Sequence, residues 1–133
     1  MNPLILNPLR MNEQSILIID DEPEIVSLLS RVFKKQGFNV HSAHTLNEGW
    51  NRISSIKPDI VFLDINLPDG NGLNKLAEIK ENYPLTKVVM ISAFDMEEDR
   101  KLATESGAYT FLSKPFNLNQ VSELIQQFRI FRA

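Results

Sequence analysis

Short apolar, largely β-branched runs alternate five times with segments whose apolar residues recur at helical spacing, and this alternation constrains the fold more than any other feature. Ser15 to Ile19 is the first run. It gives way to Ile25, Leu28, Leu29, Val32 and Phe33, at i, i+3, i+4, i+7 and i+8, the pattern of an amphipathic helix, which Gly37 closes. Phe38 to Ser42 reads as a second, less apolar strand, and Leu46, Trp50, Ile53 and Ile56 mark the next helix face. Asp59 to Leu63 is a strand of buried type, after which Gly72 leads into a helix carrying Leu73, Leu76 and Ile79 that stops before Pro84. Lys87 to Ile91 with Asp95 to Ser106 forms the fourth unit, and Tyr109 to Leu112 with Leu118, Val121, Leu124, Ile125 and Phe128 the fifth. Strands separated by helices need crossover connections, so the sheet is predicted to be parallel, with right-handed crossovers and helices on both faces. The expected fold class is α/β, a doubly wound five-stranded parallel sheet with five helices.

A chain of 133 residues holds one such domain and has no room for a second. The absence of cysteine removes disulfides, thiolate metal sites and cysteine nucleophiles together. A net charge of −3 lacks the basic footprint of a nucleic-acid binder, and no apolar run approaches the ~20 residues of a membrane span, so neither partner is expected. Leu4-Ile5-Leu6 has no basic segment before it and is cut by Pro8, short of the ~7 apolar residues an export signal uses. A cytoplasmic location is the expectation. Residues 1–13 read as a loosely ordered N-terminal arm ahead of a domain at 14–133, and Ile130 and Phe131 suggest a dimer contact or the start of a linker.

In doubly wound sheets ligands bind at the carboxyl ends of the strands. Just past those ends stand Asp20 and Asp21, then Asp64, then Ser92, then Lys114. Each has a plain structural explanation: the acids as caps of the following helix, Asp64 as the start of a turn through Pro68-Asp69-Gly70, Ser92 as a loop hydroxyl, Lys114 as a solvated lysine. What those explanations leave unexplained is their recurrence at one end of four strands. Two unit charges ~4 Å apart interact by roughly 4 kcal/mol at an effective dielectric near 20, so three clustered carboxylates call for a cation. All-oxygen ligation suits Mg²⁺, with Mn²⁺ an admissible substitute, and Mg²⁺ commonly shares a substrate phosphate. The lysine would neutralise phosphoryl oxygens and the hydroxyl would donate to one of them. Asp64, on the middle strand, is the candidate nucleophile for an acyl phosphate.

Four strings carry a resemblance to a known family: Ile18-Ile19-Asp20-Asp21-Glu22-Pro23, Phe62-Leu63-Asp64-Ile65-Asn66-Leu67-Pro68-Asp69-Gly70-Asn71-Gly72, Ile91-Ser92-Ala93, and Gly107 through Lys114-Pro115-Phe116. In this order and spacing they resemble the receiver domain of bacterial two-component response regulators. The resemblance implies a flavodoxin-like fold with strand order 2-1-3-4-5. It implies phosphoryl transfer to Asp64 from a sensor histidine kinase or a histidine phosphotransfer protein. Asp21 and Asp64 would bind Mg²⁺ directly, Asp20 through a water, and Asn66 through its backbone carbonyl. Lys114 would pair with the acyl phosphate, the Lys114-Pro115 bond would be cis, and Ser92 with Phe111 would form the switch pair. The fourth helix, the fifth strand of the sheet and the fifth helix would form the output face, the place for a homodimer.

Within the resemblance, Leu67 stands where methionine is frequent and Ser92 where threonine is commoner. Phe111 lacks a phenolic oxygen, so its switching would rest on packing. Phe94, two past the hydroxyl, cannot orient a water, and slow self-dephosphorylation is the expectation. The helix from Asp95 to Ser106 has few apolar anchors, Met96, Leu102 and Ala103, and is expected to be the least firmly packed. The competing reading is a phosphorylation-independent adaptor of the same shape.

Overall fold

The computed structural model describes residues 14–130, with the backbone alone described at Ile130. The expected N-terminal arm and Phe131 lie outside the described residues. In chain order the elements are β1 (Ser15–Ile19), α1 (Pro23–Lys35), β2 (Asn39–Ala43), α2 (Leu46–Ile56), β3 (Ile60–Asp64), β4 (Asn66–Leu67), β5 (Gly70–Asn71), α3 (Gly72–Asn82), β6 (Lys87–Ser92), α4 (Glu97–Glu105), β7 (Thr110–Ser113) and α5 (Leu118–Ile130). Five strands form one parallel sheet in the order β2-β1-β3-β6-β7. The fold is thus the flavodoxin-like sheet expected above. The short antiparallel pair β4-β5 was not foreseen, because Pro68 and Asp69 between its strands read equally well as an open turn.

Period-two alternation sends the sheet's side chains to two cores. Ile16, Ile18, Ile60, Phe62, Val89, Ile91 and Leu112 pack with Leu29 and Phe33 of α1 and Val121, Leu124, Ile125 and Phe128 of α5. Leu17, Ile19, Val61, Leu63, Val88 and Met90 point the other way, against Ile53 of α2, Leu73, Leu76 and Ile79 of α3, and Ala103 of α4. β3 is buried along its whole length, as the middle strand of a covered sheet must be.

α4 departs from expectation in two respects. It begins two residues later than predicted, at Glu97, because Asp95 is held in the preceding loop, and Ala103 is its only buried residue. Met96 and Leu102, expected as anchors, are exposed. Among the described residues no helix is long and apolar enough to cross a membrane.

Candidate functional site

Four of the five strands of the central sheet, all but β2, deliver one chemically active residue at or one step beyond the carboxyl end. Asp20 follows β1, with its backbone N–H donating to the Ala43 carbonyl at 3.0 Å, which prolongs the ladder by one residue. Asp64 ends β3 and Ser92 ends β6. Lys114 follows β7, with its N–H on the Ser92 carbonyl at 2.7 Å. The Lys114–Pro115 peptide is cis.

Asp20, Asp21 and Asp64 each present a carboxylate oxygen within 4.8 Å of the others. Asp20 and Asp64 are buried and Asp21 is exposed. Neither Asp20 nor Asp21 caps α1. The N-cap is Glu22, without a side-chain cap, and Asp20 Oδ1 instead accepts from the Glu22 N–H at 2.9 Å. That bond closes a short turn after β1 and leaves Oδ2 beside the Lys114 ammonium. Asp64 Oδ1 likewise accepts from the Asn66 N–H, at 3.2 Å.

The Lys114 ammonium reaches into this group. It lies 2.9 Å from Asp20 Oδ2, 3.3 Å from Asp64 Oδ2 and 2.5 Å from Glu22 Oε1, and its side chain is only 8% exposed. Sequence reasoning missed Glu22 as a partner of Lys114; the signal was the third acid of the Asp-Asp-Glu run. Asp20 Oδ2 is buried and, although close to the ammonium, accepts no well-formed hydrogen bond. Two buried carboxylates and one cation do not neutralise each other. Burial, reinforced by the charge of Asp20, pushes the Asp64 carboxyl up to about 6, with Lys114 and the Asn66 amide only partly opposing. An all-oxygen donor set with a surplus of negative charge and an orphaned buried oxygen fits a hard divalent cation.

The loop after Asp64 is fixed from two sides. The Gly72 N–H donates to the Ile65 carbonyl at 2.7 Å, and a Cβ on Gly72 would stand 2.3 Å from the Asp64 backbone oxygen. Gly72→Ala must therefore push α3 away from β3. The expected result is a Tm lower by roughly 5–10 °C, and a Tm within roughly 1 °C of the parent would count against this close approach. On the other side Asp69 receives the Leu46 and Asn47 N–H groups of α2, at 2.7 and 2.9 Å, which hold its carboxyl below the usual range. Sequence reasoning read Asp69 only as a turn residue, because its partners lie more than twenty positions upstream. Asp69→Ala is expected to lower Tm and to speed amide hydrogen exchange at Leu46 and Asn47, with unchanged exchange there as the contrary result.

The remaining expected residues are near but not all in contact. Ser92 is buried and hydrogen-bonded to the Phe94 backbone, Phe111 is half buried, and Asn66 is exposed with its backbone beside Asp64. Phe94 is exposed.

Residues 16–126 match the family model described as Response regulator receiver domain. Similar curated proteins are Regulatory protein AtoC of Escherichia coli (strain K12), 32% identical over 84% of this chain and 24% of that protein, and Response regulator protein PilR of Pseudomonas aeruginosa, 34% identical over 86% of this chain and 26% of that protein. The chain spans about a quarter of the length of these relatives. Among solved structures, the beryllofluoride-activated NtrC4 receiver domain dimer aligns with a TM-score of 0.83 at 32% identity, covering 90% of this chain and 98% of that one. A CheY-like receiver domain protein from Methanospirillum hungatei JF-1 aligns with a TM-score of 0.84 at 26% identity, covering 90% and 95%. With the family matched across both faces of the sheet and every strand that borders the acidic crevice, the chain belongs to the response regulator receiver domains of two-component systems.

Proposed function

We infer that this receiver domain accepts a phosphoryl group on Asp64 from a phosphohistidine of a sensor histidine kinase or of a histidine phosphotransfer protein. The observation that carries the reading is the convergence of Asp20, Asp21 and Lys114 on Asp64. An Asp64 carboxylate oxygen attacks phosphorus, the P–N bond to the donor imidazole breaks, and the bonding pair stays with the imidazole nitrogen. Attack needs the ionised carboxylate, and a group pushed up to about 6 is ionised at neutral pH. Lys114, held charged by its acidic neighbours, pairs with the oxygens of the transferred group. The Ser92 hydroxyl can donate to one of them. Asp21 and Asp64, with the Asn66 carbonyl and with Asp20 through a water, would hold Mg²⁺, which when bound supplies positive charge to the phosphoryl oxygens.

Ser92 and Phe111 form the switch pair of this reading, and the output face is that of α4, β7 and α5. α4 is the element suited to move, since only one of its residues is buried. A homodimer through this face, a cytoplasmic location and a domain spanning 14–133 belong to the same reading.

Incubation with Mg²⁺ and acetyl phosphate followed by intact mass tests it. The parent chain is expected to gain one phosphoryl group and Asp64→Asn none. A parent chain that gains nothing favours the adaptor reading.

A further inference from the structure

Ser92 is bonded to the chain that follows it. Its hydroxyl donates to the Phe94 carbonyl and accepts from the Phe94 N–H, each at 3.0 Å. The next residue, Asp95, is gripped by the Arg100 guanidinium of α4, through Nε to Oδ1 and through Nη2 to Oδ2 at 3.2 Å. The same Nη2 donates to Ser113 Oγ at 2.9 Å, at the end of β7, and the guanidinium carbon sits 4.6 Å from the centre of the Phe111 ring. One side chain thus joins the loop behind Ser92 to the strand that carries Phe111. The Arg100 hydrogen bond also holds the Asp95 carboxyl below its ordinary value.

A serine hydroxyl has one proton. When the Ser92 O–H turns to donate its hydrogen bond to a phosphoryl oxygen instead, the Phe94 carbonyl loses its donor and the Phe94-Asp95 segment loses one of its ties. Any turn of the Phe111 ring in the same event parts it from the guanidinium. We propose that Arg100 and Asp95 are positioning residues, whose ion pair, stacked on Phe111 and bonded to Ser113, holds Ser92 and Phe111 in their resting arrangement and opens when Asp64 is phosphorylated. The inference rests on the receiver reading above.

Removing the clamp removes one exposed ion pair, the hydrogen bond to Ser113 and one cation–π contact from the resting state alone. Arg100→Ala is therefore expected to gain its phosphoryl group from acetyl phosphate about three- to fivefold faster than the parent at saturating Mg²⁺. In the unphosphorylated variant, the NMR resonances of the Phe111 ring and of the Phe94 and Asp95 amides are expected to move toward their positions in the beryllofluoride-bound parent. Arg100→Lys keeps the charge without the planar fork and is expected to fall between the two. Equal rates with unmoved resonances overturn the proposal, as does an Arg100→Ala protein that is slowed in step with a lower Tm. A parent chain that takes no phosphoryl group fails the phosphoacceptor reading itself, before any variant is compared, and the proposal falls with it.

Discussion

Metal-free protein is expected to lose stability as pH rises from about 4 to about 6, against the usual trend for a carboxylate. The Asp64 carboxyl stands at 3.8 in the unfolded chain and about 6 in the folded one, because burial and then the Asp20 charge outweigh Lys114 and the Asn66 amide. Between those values the folded state holds a proton that the unfolded state has released. The contribution is full below 3.8, declines through the window and is gone above the folded value. At ~1.4 kcal/mol per pH unit of displacement it amounts to about 2–3 kcal/mol. Asp69 and Asp95 are displaced the other way, by the Asn47 and Leu46 amides and by Arg100, so what they contribute is lost only as pH falls below the ordinary carboxylate range. Urea midpoints in EDTA between pH 4 and 7 read this directly. The decline is expected in the parent and absent from Asp64→Asn, which is expected to exceed the parent in stability at pH 7. Saturating Mg²⁺ competes with the proton for the same oxygens and is expected to flatten the slope. Midpoints that rise through the window in the parent as in the variant would remove the claim that Asp64 is held in its charged form at a cost.

The architecture was legible because strand and helix periods differ and each strand here is short, apolar and bounded by a turn residue. Ile16, Ile18, Phe62 and Ile91 had to face one way and Leu17, Ile19, Leu63 and Met90 the other once the sheet was parallel and covered on both sides. The convergence of Asp20, Asp64 and Lys114 was legible for a related reason: a parallel sheet puts every strand's carboxyl end on one rim, so position along the strand fixes position in space. Side-chain partnerships off that rim were not. Glu22 on Lys114, Asp69 on the start of α2 and Arg100 on Phe111 join residues that neither periodicity nor strand order brings together. The boundary of α4 was misjudged because Asp95 and Met96 look like a first helical turn when read alone, whereas in the fold the hydrogen bonds of Ser92 to Phe94 and of Arg100 to Asp95 hold that segment as loop. Composition carries no trace of such competition for a residue's backbone.

Lys114→Ala carries the largest expected effect. Burial alone would lower the pKa of this lysine, but the hydrogen bond it donates to Glu22 and the neighbouring charges of Asp64 and Asp20 reverse that, so the ammonium stays charged beneath a nearly closed surface. Without it, Asp20 and Asp64 face each other in the protein interior with no positive neighbour. Breaking a buried ion pair by deleting one partner costs ~3–5 kcal/mol, here equivalent to a Tm lower by roughly 10 °C or more in EDTA. Much of that loss is expected to return with Mg²⁺, since a divalent ion restores the missing charge, and the gain in Tm on adding Mg²⁺ should be larger than in the parent. The Asp64 carboxyl should rise further, widening the pH window of declining stability. Adduct formation from acetyl phosphate is expected to slow by ~10²-fold even at saturating Mg²⁺, because a preorganised charge at the phosphoryl oxygens is lost along with the counterion. The two readouts separate the roles: if stability in EDTA falls and Mg²⁺ restores it while the rate is unchanged, Lys114 neutralises the resting site only. If the variant is as stable as the parent in EDTA, the carboxylates are not in the electrostatic conflict on which the raised Asp64 and its affinity for a cation both depend.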